Sequence, residues 1–238
     1  MSNNAAPACS GPFHVGKLPP ARLQNLLKGR RGRRSRDVIG GPGAGLDFAV
    51  LQIASGRYMA IAEDPIFPAP GLPLSLMGQF TVHIGASDVA VSGVKPSHMT
   101  YTLLLPPDCP ETDAETIIDS ISVTASELDI AIVGGHTGWY GAVTLPTVGG
   151  VTVWGYADEG QWISPGGAQS GDLLLMSKGP AIEAAALLAV VWEERLKNGL
   201  DAATLRRLLD RTPEITVVDD ALTAFAQGGA HAMHDATE

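Results

Sequence analysis

Three aspartates and a histidine stand where apolar segments meet glycine or proline. They are Asp47 after Gly40-Gly41-Pro42-Gly43-Ala44-Gly45, Asp64 before Pro65, Asp88 within Ala86-Ser87-Asp88-Val89, and His136 after Gly134-Gly135. A lone carboxylate in an apolar segment is costly unless it is paired or metal-bound. Gathered in space, three would hold one or two Mg2+ ions through oxygen ligands, with a nucleotide's phosphates completing the shell. Glycines such as Gly43 and Gly45 would bring bare backbone N–H groups to the same anion. Taken singly, each aspartate also reads as a cap or turn acid.

Other chemistries lack their residues. Gly41-Pro42-Gly43-Ala44-Gly45 is followed by no Gly-Lys-Ser/Thr, and Asp47 opens a strand rather than a helix, so neither a P-loop nor a dinucleotide fingerprint is present. There is no Gly-x-Ser-x-Gly elbow. His136 has no second His or Cys at zinc-ligand spacing, and His234-Asp235 has no third ligand nearby in the sequence. Both histidines read equally as hydrogen-bonded loop residues.

The elements that must position these groups follow from periodicity. A short amphipathic helix is expected after Pro19-Pro20, with Leu23, Leu26 and Leu27 on one face. Residues 47–54 and 57–62 read as a β-hairpin about Ser55-Gly56, and Pro65 forces Asp64 into extended geometry at the strand end. Residues 76–91 read as a helix despite Gly78 and Gly85, which must then serve close packing or ligand approach. A strand at 99–105 precedes a helix that the capping box Thr112-Asp113-Ala114-Glu115 would open. A buried-type strand, 130–133, then runs into Gly134-Gly135-His136-Thr137, and 148–157 is a further strand. Composition resets near Ser164. Beyond it come a strand at 172–177, a helix from Pro180 to Gly199, one capped by Asp201, and one from Val218. The alternation indicates an α+β or α/β protein in two units.

The 238 residues are 45% hydrophobic and 17% charged, too apolar for a disordered chain. The longest apolar run, Ala184–Trp192, is far short of the ~20 residues of a membrane helix. With no signal-peptide order in residues 1–12 and no cysteine framework, the expectation is a cytoplasmic protein without membrane contact. The net charge of −9 becomes −15 when Lys28, Arg30, Arg31, Arg33, Arg34 and Arg36 are set aside. That run is a solvated loop or a clamp for polyanionic phosphates. Nucleic acid is the less favoured partner, because no aromatic residue interleaves with the arginines.

In order along the chain, Gly-Pro-Gly-Ala-Gly-Leu-Asp-Phe-Ala-Val (41–50), Glu-Asp-Pro-Ile (63–66), Ala-Ser-Asp-Val-Ala-Val-Ser-Gly-Val-Lys-Pro (86–96) and Gly-Gly-His-Thr-Gly (134–138) resemble one superfamily. Residues 167–179 and Met-His-Asp-Ala-Thr-Glu (233–238) fit it too. It holds aminoimidazole ribonucleotide (AIR) synthetase (PurM), thiamine-monophosphate kinase, selenophosphate synthetase and the hydrogenase maturation factor HypE. The pattern is most similar to a HypE-like, AIR-synthetase-related group. It departs from thiamine-monophosphate kinases at Leu46-Asp47, where they pair two aspartates, and from both those kinases and HypE at His136, where they carry Asp.

The resemblance implies an α+β fold. A flexible arm (1–16) would precede a PurM-like N-terminal domain (17–160), whose sheet forms a barrel-like homodimer. An α/β C-terminal domain (164–238) would be incomplete, since family members continue past the point where this chain stops. ATP and Mg2+ would be bound, with Asp47, Asp64 and Asp88 as metal ligands and Gly134, Gly135 and Thr137 lining the phosphate site. Lys17 could close over the phosphates, Lys17 and His136 would serve catalysis, and His234 and Asp235 would meet the substrate. The implied activity is transfer or use of the ATP γ-phosphoryl group on an unidentified small molecule or carrier protein. The alternative is a non-catalytic nucleotide-binding dimerisation module.

Overall fold

The computed structural model describes residues 16–43 and 45–236, so the expected arm lies, except for Gly16, outside the described residues. Helix α1 (Pro20–Leu27) buries none of its residues, and the basic run that follows it is exposed. Six strands form one sheet: β1 (Val38–Gly40), β2 (Ala49–Ala54), β3 (Arg57–Ile66), β4 (His98–Leu105), β5 (Ala131–Trp139) and β6 (Thr147–Asp158). Their order is β1-β2-β3-β6-β4-β5, antiparallel except for the parallel β4–β5 edge. The hairpin expected at Ser55-Gly56 forms, with Ala54 opposite Arg57 and Gly56 at φ +68°.

Helices α2 (Leu74–Ala90) and α3 (Glu111–Glu127) cover one face of the sheet. Alternation sorts β6 cleanly: Val151, Val153 and Ala157 are buried, while Trp154, Tyr156 and Asp158 face away from the helices. Met77, Val82 and Val89 of α2 and Ile117 and Ile121 of α3 complete the core. The two helix glycines are contact points. A Cβ on Gly78 would sit 2.6 Å from Ser120 Cβ, and one on Gly85 would sit 2.7 Å from Val153 Cγ2. Gly78 therefore sets how closely α2 approaches α3, and Gly85 how closely α2 lies on β6.

Three expectations are corrected. Helix α3 starts at Glu111, so Thr112 lies inside its first turn and Pro110, with no cap hydrogen bond, precedes it. Glu111 and Asp113 instead place negative charge at the positive end of the helix dipole. The stretch 130–133 is not a buried strand: Ile130 is buried, but Ala131, Ile132 and Val133 are exposed, because β5 is the edge of the sheet. Residues 172–177 form no strand, and Leu173, Leu174 and Leu175 are 86%, 96% and 87% exposed. Apolarity marked a strand there, but no neighbour among the described residues offers it a hydrogen-bond ladder.

Past a 3-10 turn at Pro165–Gly167, the helix expected from Pro180 to Gly199 breaks at Trp192 into α4 (Ile182–Val191) and α5 (Glu193–Leu196). Asp201 caps α6 (Ala202–Leu209) as expected, its Oδ1 accepting the Thr204 N–H at 2.8 Å. Helix α7 (Val218–Gln227) returns to α2. Val218 and Ala221 join the core, Leu222 packs against it, and the Phe225 ring sits against Gly93. Leu222 and Phe225 are thus half-buried against the rest of the chain rather than open to solvent. No helix among the described residues is long and apolar enough to cross a membrane.

Candidate functional site

Asp64 lies near the end of β3, on the strand's helix-facing side, and Asp88 lies in the last turn of α2. The two carboxyls share a hydrogen bond. Asp64 still pairs in register with Val151, and the β3–β6 ladder becomes irregular just after it, between Asp64 and Ile66, where Pro65 has no N–H to donate. Asp88 is 7% exposed, and burial, the Asp64 hydrogen bond and the charges of Asp235, Asp64 and Asp47 hold its carboxyl far above the usual carboxylate range.

Asp47 arrives from the other side, at the end of the glycine loop between β1 and β2. Gly41 and Gly45 take φ values of +122° and +75°, and a Cβ on Gly41 would fall 2.8 Å from Ala49 Cβ. The loop can turn this tightly only with glycine there. Burial and Asp235 push the Asp47 carboxyl up to about 6, against the opposing charges of His234 and Lys17. Asp47 Oδ2 is buried and makes no hydrogen bond among the described residues.

The C-terminal segment closes the group. Asp235 is 3% exposed, and its backbone N–H donates to Asp47. His234 Nε2 lies 3.1 Å from Asp47 Oδ1, and ligand atoms of Asp47, His234 and Asp235 all fall within 4.8 Å of one another. The structure therefore brings Asp47, Asp64, Asp88 and Asp235 to one place, with His234 at its exposed rim and Lys17 within electrostatic reach. Four carboxyls held this closely cannot all ionise without a countercharge. Oxygen donors, an orphaned buried Oδ2 and raised proton affinity together suit a hard divalent cation.

The glycine-histidine motif is elsewhere. Gly134, Gly135, His136 and Thr137 lie on β5 opposite Thr100–Leu103 of β4, and β4 and β6 separate them from β3. Three strand spacings amount to about 14 Å. Gly135 has φ +149°, and a Cβ there would run into the Tyr101 carbonyl oxygen. His136 is exposed, hydrogen-bonded through Nε2 to the Tyr140 hydroxyl.

Sequence reasoning did not single out a polar cluster between α2 and the segment ahead of α7. His83 Nδ1 is buried with no hydrogen bond among the described residues, and burial, with Lys178 nearby, pulls the ring down to about 4. Lys178 pairs with Asp220 at 2.7 Å, and Ser87 Oγ accepts the Val217 N–H at 3.1 Å. Only the i, i+4 spacing of His83 and Ser87 on one helix face hinted at it.

Residues 45–157 match the family model described as AIR synthase related protein, N-terminal domain. The chain is 27% identical over 197 residues to a putative hydrogenase expression/formation protein of Methanocaldococcus jannaschii, covering 81% of this chain and 58% of that one. It is 29% identical over 183 residues to a selenide, water dikinase of Methanococcus maripaludis, covering 75% of this chain and 51% of that one. It thus spans about half the length of the curated relatives it matches. The solved structure of AaThiL complexed with AMPPCP and TMP superposes with a TM-score of 0.66 at 17% identity, over 89% of this chain and 62% of that one, a likeness of fold. Over residues 45–157, a little under half of its length, the chain is thus similar to the N-terminal domain of AIR-synthase-related proteins, and its sequence likeness to HypE-type proteins and a selenide, water dikinase points to the same PurM-like superfamily.

Proposed function

We propose that this chain binds ATP with Mg2+ or a similar divalent cation, as part of an enzyme that transfers or uses the γ-phosphoryl group on a small molecule or carrier protein. The observation that carries this reading is the convergence of Asp47, Asp64, Asp88 and Asp235 from four separate segments. Asp47, Asp64 and Asp88 would hold the ion, with Asp235 completing the carboxylate set. When bound, the ion would neutralise phosphate charge, and the rest of catalysis would be positioning. The glycine loop through Gly43 and Gly45 would offer backbone N–H groups to phosphate, and Lys17 would approach it from the chain ahead of α1. The names of the relatives support the reading: one is a dikinase, and the AaThiL structure holds an ATP analogue.

A homodimer belongs to this proposal. The sheet face opposite the helices carries Ile53, Trp154 and Tyr156, and the open edge β5 exposes Ile132, Val133 and Trp139. Pairing of two such sheets would cover these groups and bring a partner's Gly134–Thr137 segment and His136 within range of the carboxylates. A second reading, a non-catalytic nucleotide-binding dimerisation module, is favoured by the separation of His136 from the carboxylates within one chain. Calorimetry with Mg2+ and AMPPCP tests the first part: Asp64→Asn and Asp88→Asn should abolish binding, and unchanged affinity would overturn it. ADP release over a panel of acceptor substrates separates enzyme from module.

A further inference from the structure

The His234 ring is fixed in a way the carboxylates alone do not require. Its Nδ1 is hydrogen-bonded to the backbone carbonyl oxygen of Asp235. A carbonyl only accepts, so Nδ1 is the protonated nitrogen and Nε2 is left with its lone pair or a second proton. Nε2 faces Asp47 Oδ1 at 3.1 Å. Two lone pairs at that distance repel unless a proton or a cation lies between them. The other oxygen of the same carboxylate, Oδ2, is buried without a hydrogen bond among the described residues. Neighbouring ligands of an octahedral ion with bonds of ~2.1 Å lie about 3 Å apart, which matches the His234–Asp47 separation. A metal-bound histidine also commonly donates its other ring N–H to a backbone carbonyl, as Nδ1 does here.

We propose that His234 Nε2 is a metal ligand alongside Asp47 and Asp235, and that this nitrogen makes the site prefer a first-row transition ion such as Mn2+ over Mg2+. The inference rests on the carboxylate-site reading above and adds to it the identity of the ion. Mg2+ is served by oxygen and water, whereas imidazole favours the transition series. His234 is half exposed, so it would bind from the open rim while Asp235, almost fully buried, holds the floor. Its position is set by chain direction: the buried Asp235 anchors the segment, and the preceding residue is carried to the mouth of the site.

The test uses the full chain, Mn2+ and Mg2+ as chlorides without nucleotide, and the variants His234→Ala, His234→Gln and Asp88→Asn, each checked for native circular dichroism. Electron-spin-echo spectroscopy of bound Mn2+ should show nitrogen coupling in the parent chain and none in His234→Ala. Calorimetry should show Mn2+ affinity falling about tenfold in His234→Ala and Mg2+ affinity changing by less than about twofold. Bound Mn2+ without nitrogen coupling, or equal affinities for both ions in parent and His234→Ala, would overturn the role of His234 while leaving the carboxylate site standing, provided Asp88→Asn abolishes binding. Absence of binding by either ion would overturn both.

Discussion

His234 Nε2 lies 3.1 Å from Asp47 Oδ1, joining the glycine loop ahead of β2 to the C-terminal segment beyond α7. This contact, with the Asp235 N–H donated to Asp47, pins a segment of no regular secondary structure across the end of the sheet. The site is therefore built by tertiary closure as much as by the strands and helices that carry Asp64 and Asp88.

Asp88→Asn should stabilise the metal-free protein while abolishing divalent-cation binding. Buried among three other carboxyls, Asp88 must take up a proton on folding near pH 8, and the amide keeps its shape without that cost. Melting followed by scanning fluorimetry near pH 8 in EDTA should rise by about 2–4 °C for each kcal/mol gained. An unchanged or lowered midpoint would contradict the crowding of charge at this position.

Stability should depend on pH in an unusual direction. Folded-state proton affinities of Asp47 and Asp88 are raised above those of the unfolded chain, so the folded state binds more protons. Their contribution is fully present below the ordinary aspartate range near 4. It is lost as pH rises through about 6 for Asp47, and at still higher pH for Asp88. In EDTA the melting midpoint should fall between about pH 4 and pH 6 more steeply in the parent than in Asp47→Asn. Saturating Mg2+ should remove the difference.

Gly85→Ala should destabilise the fold although alanine is the better helix former. The added Cβ would meet Val153 Cγ2 at 2.7 Å, in the core between α2 and β6. Overpacking of this kind costs roughly 1–3 kcal/mol, against a propensity gain of about 1 kcal/mol. Urea titration should show a lower midpoint, and a higher one would mean that the helix–sheet distance is not set there.

Gly135→Ala should damage the β4–β5 edge, whereas His136→Ala should leave the fold intact. Gly135 combines a positive φ with a close approach to the Tyr101 carbonyl, and His136 is exposed. A loss of roughly 1–3 kcal/mol in Gly135→Ala, together with weaker self-association in analytical ultracentrifugation, is expected. Self-association unaffected by this change would argue against pairing at that edge.

Much of the site was legible because its acids interrupt apolar segments. Asp64 announced itself through Pro65, and Asp88 by being the one carboxylate in a helix otherwise free of charge. The part played by Asp235 was not legible, since its closeness to Asp47 depends on how the segment after α7 folds back. The strand error at 172–177 has a related cause. An apolar run records a preference for burial, and Leu173–Leu175 have that preference without a covering layer among the described residues. The placement of Gly134–Thr137 on an edge strand was likewise invisible, because strand order is a global property that no local pattern encodes.

Anomalous diffraction from crystals of the chain grown with Mn2+ and AMPPCP tests the metal–nucleotide reading most directly. The expected result is a Mn2+ peak within about 2.3 Å of carboxylate oxygens from Asp47, Asp64 or Asp88, with the analogue's phosphates bound to the same ion. Nucleotide bound with its ion remote from these aspartates, or a Mn2+ peak confined to surface carboxylates, would contradict it.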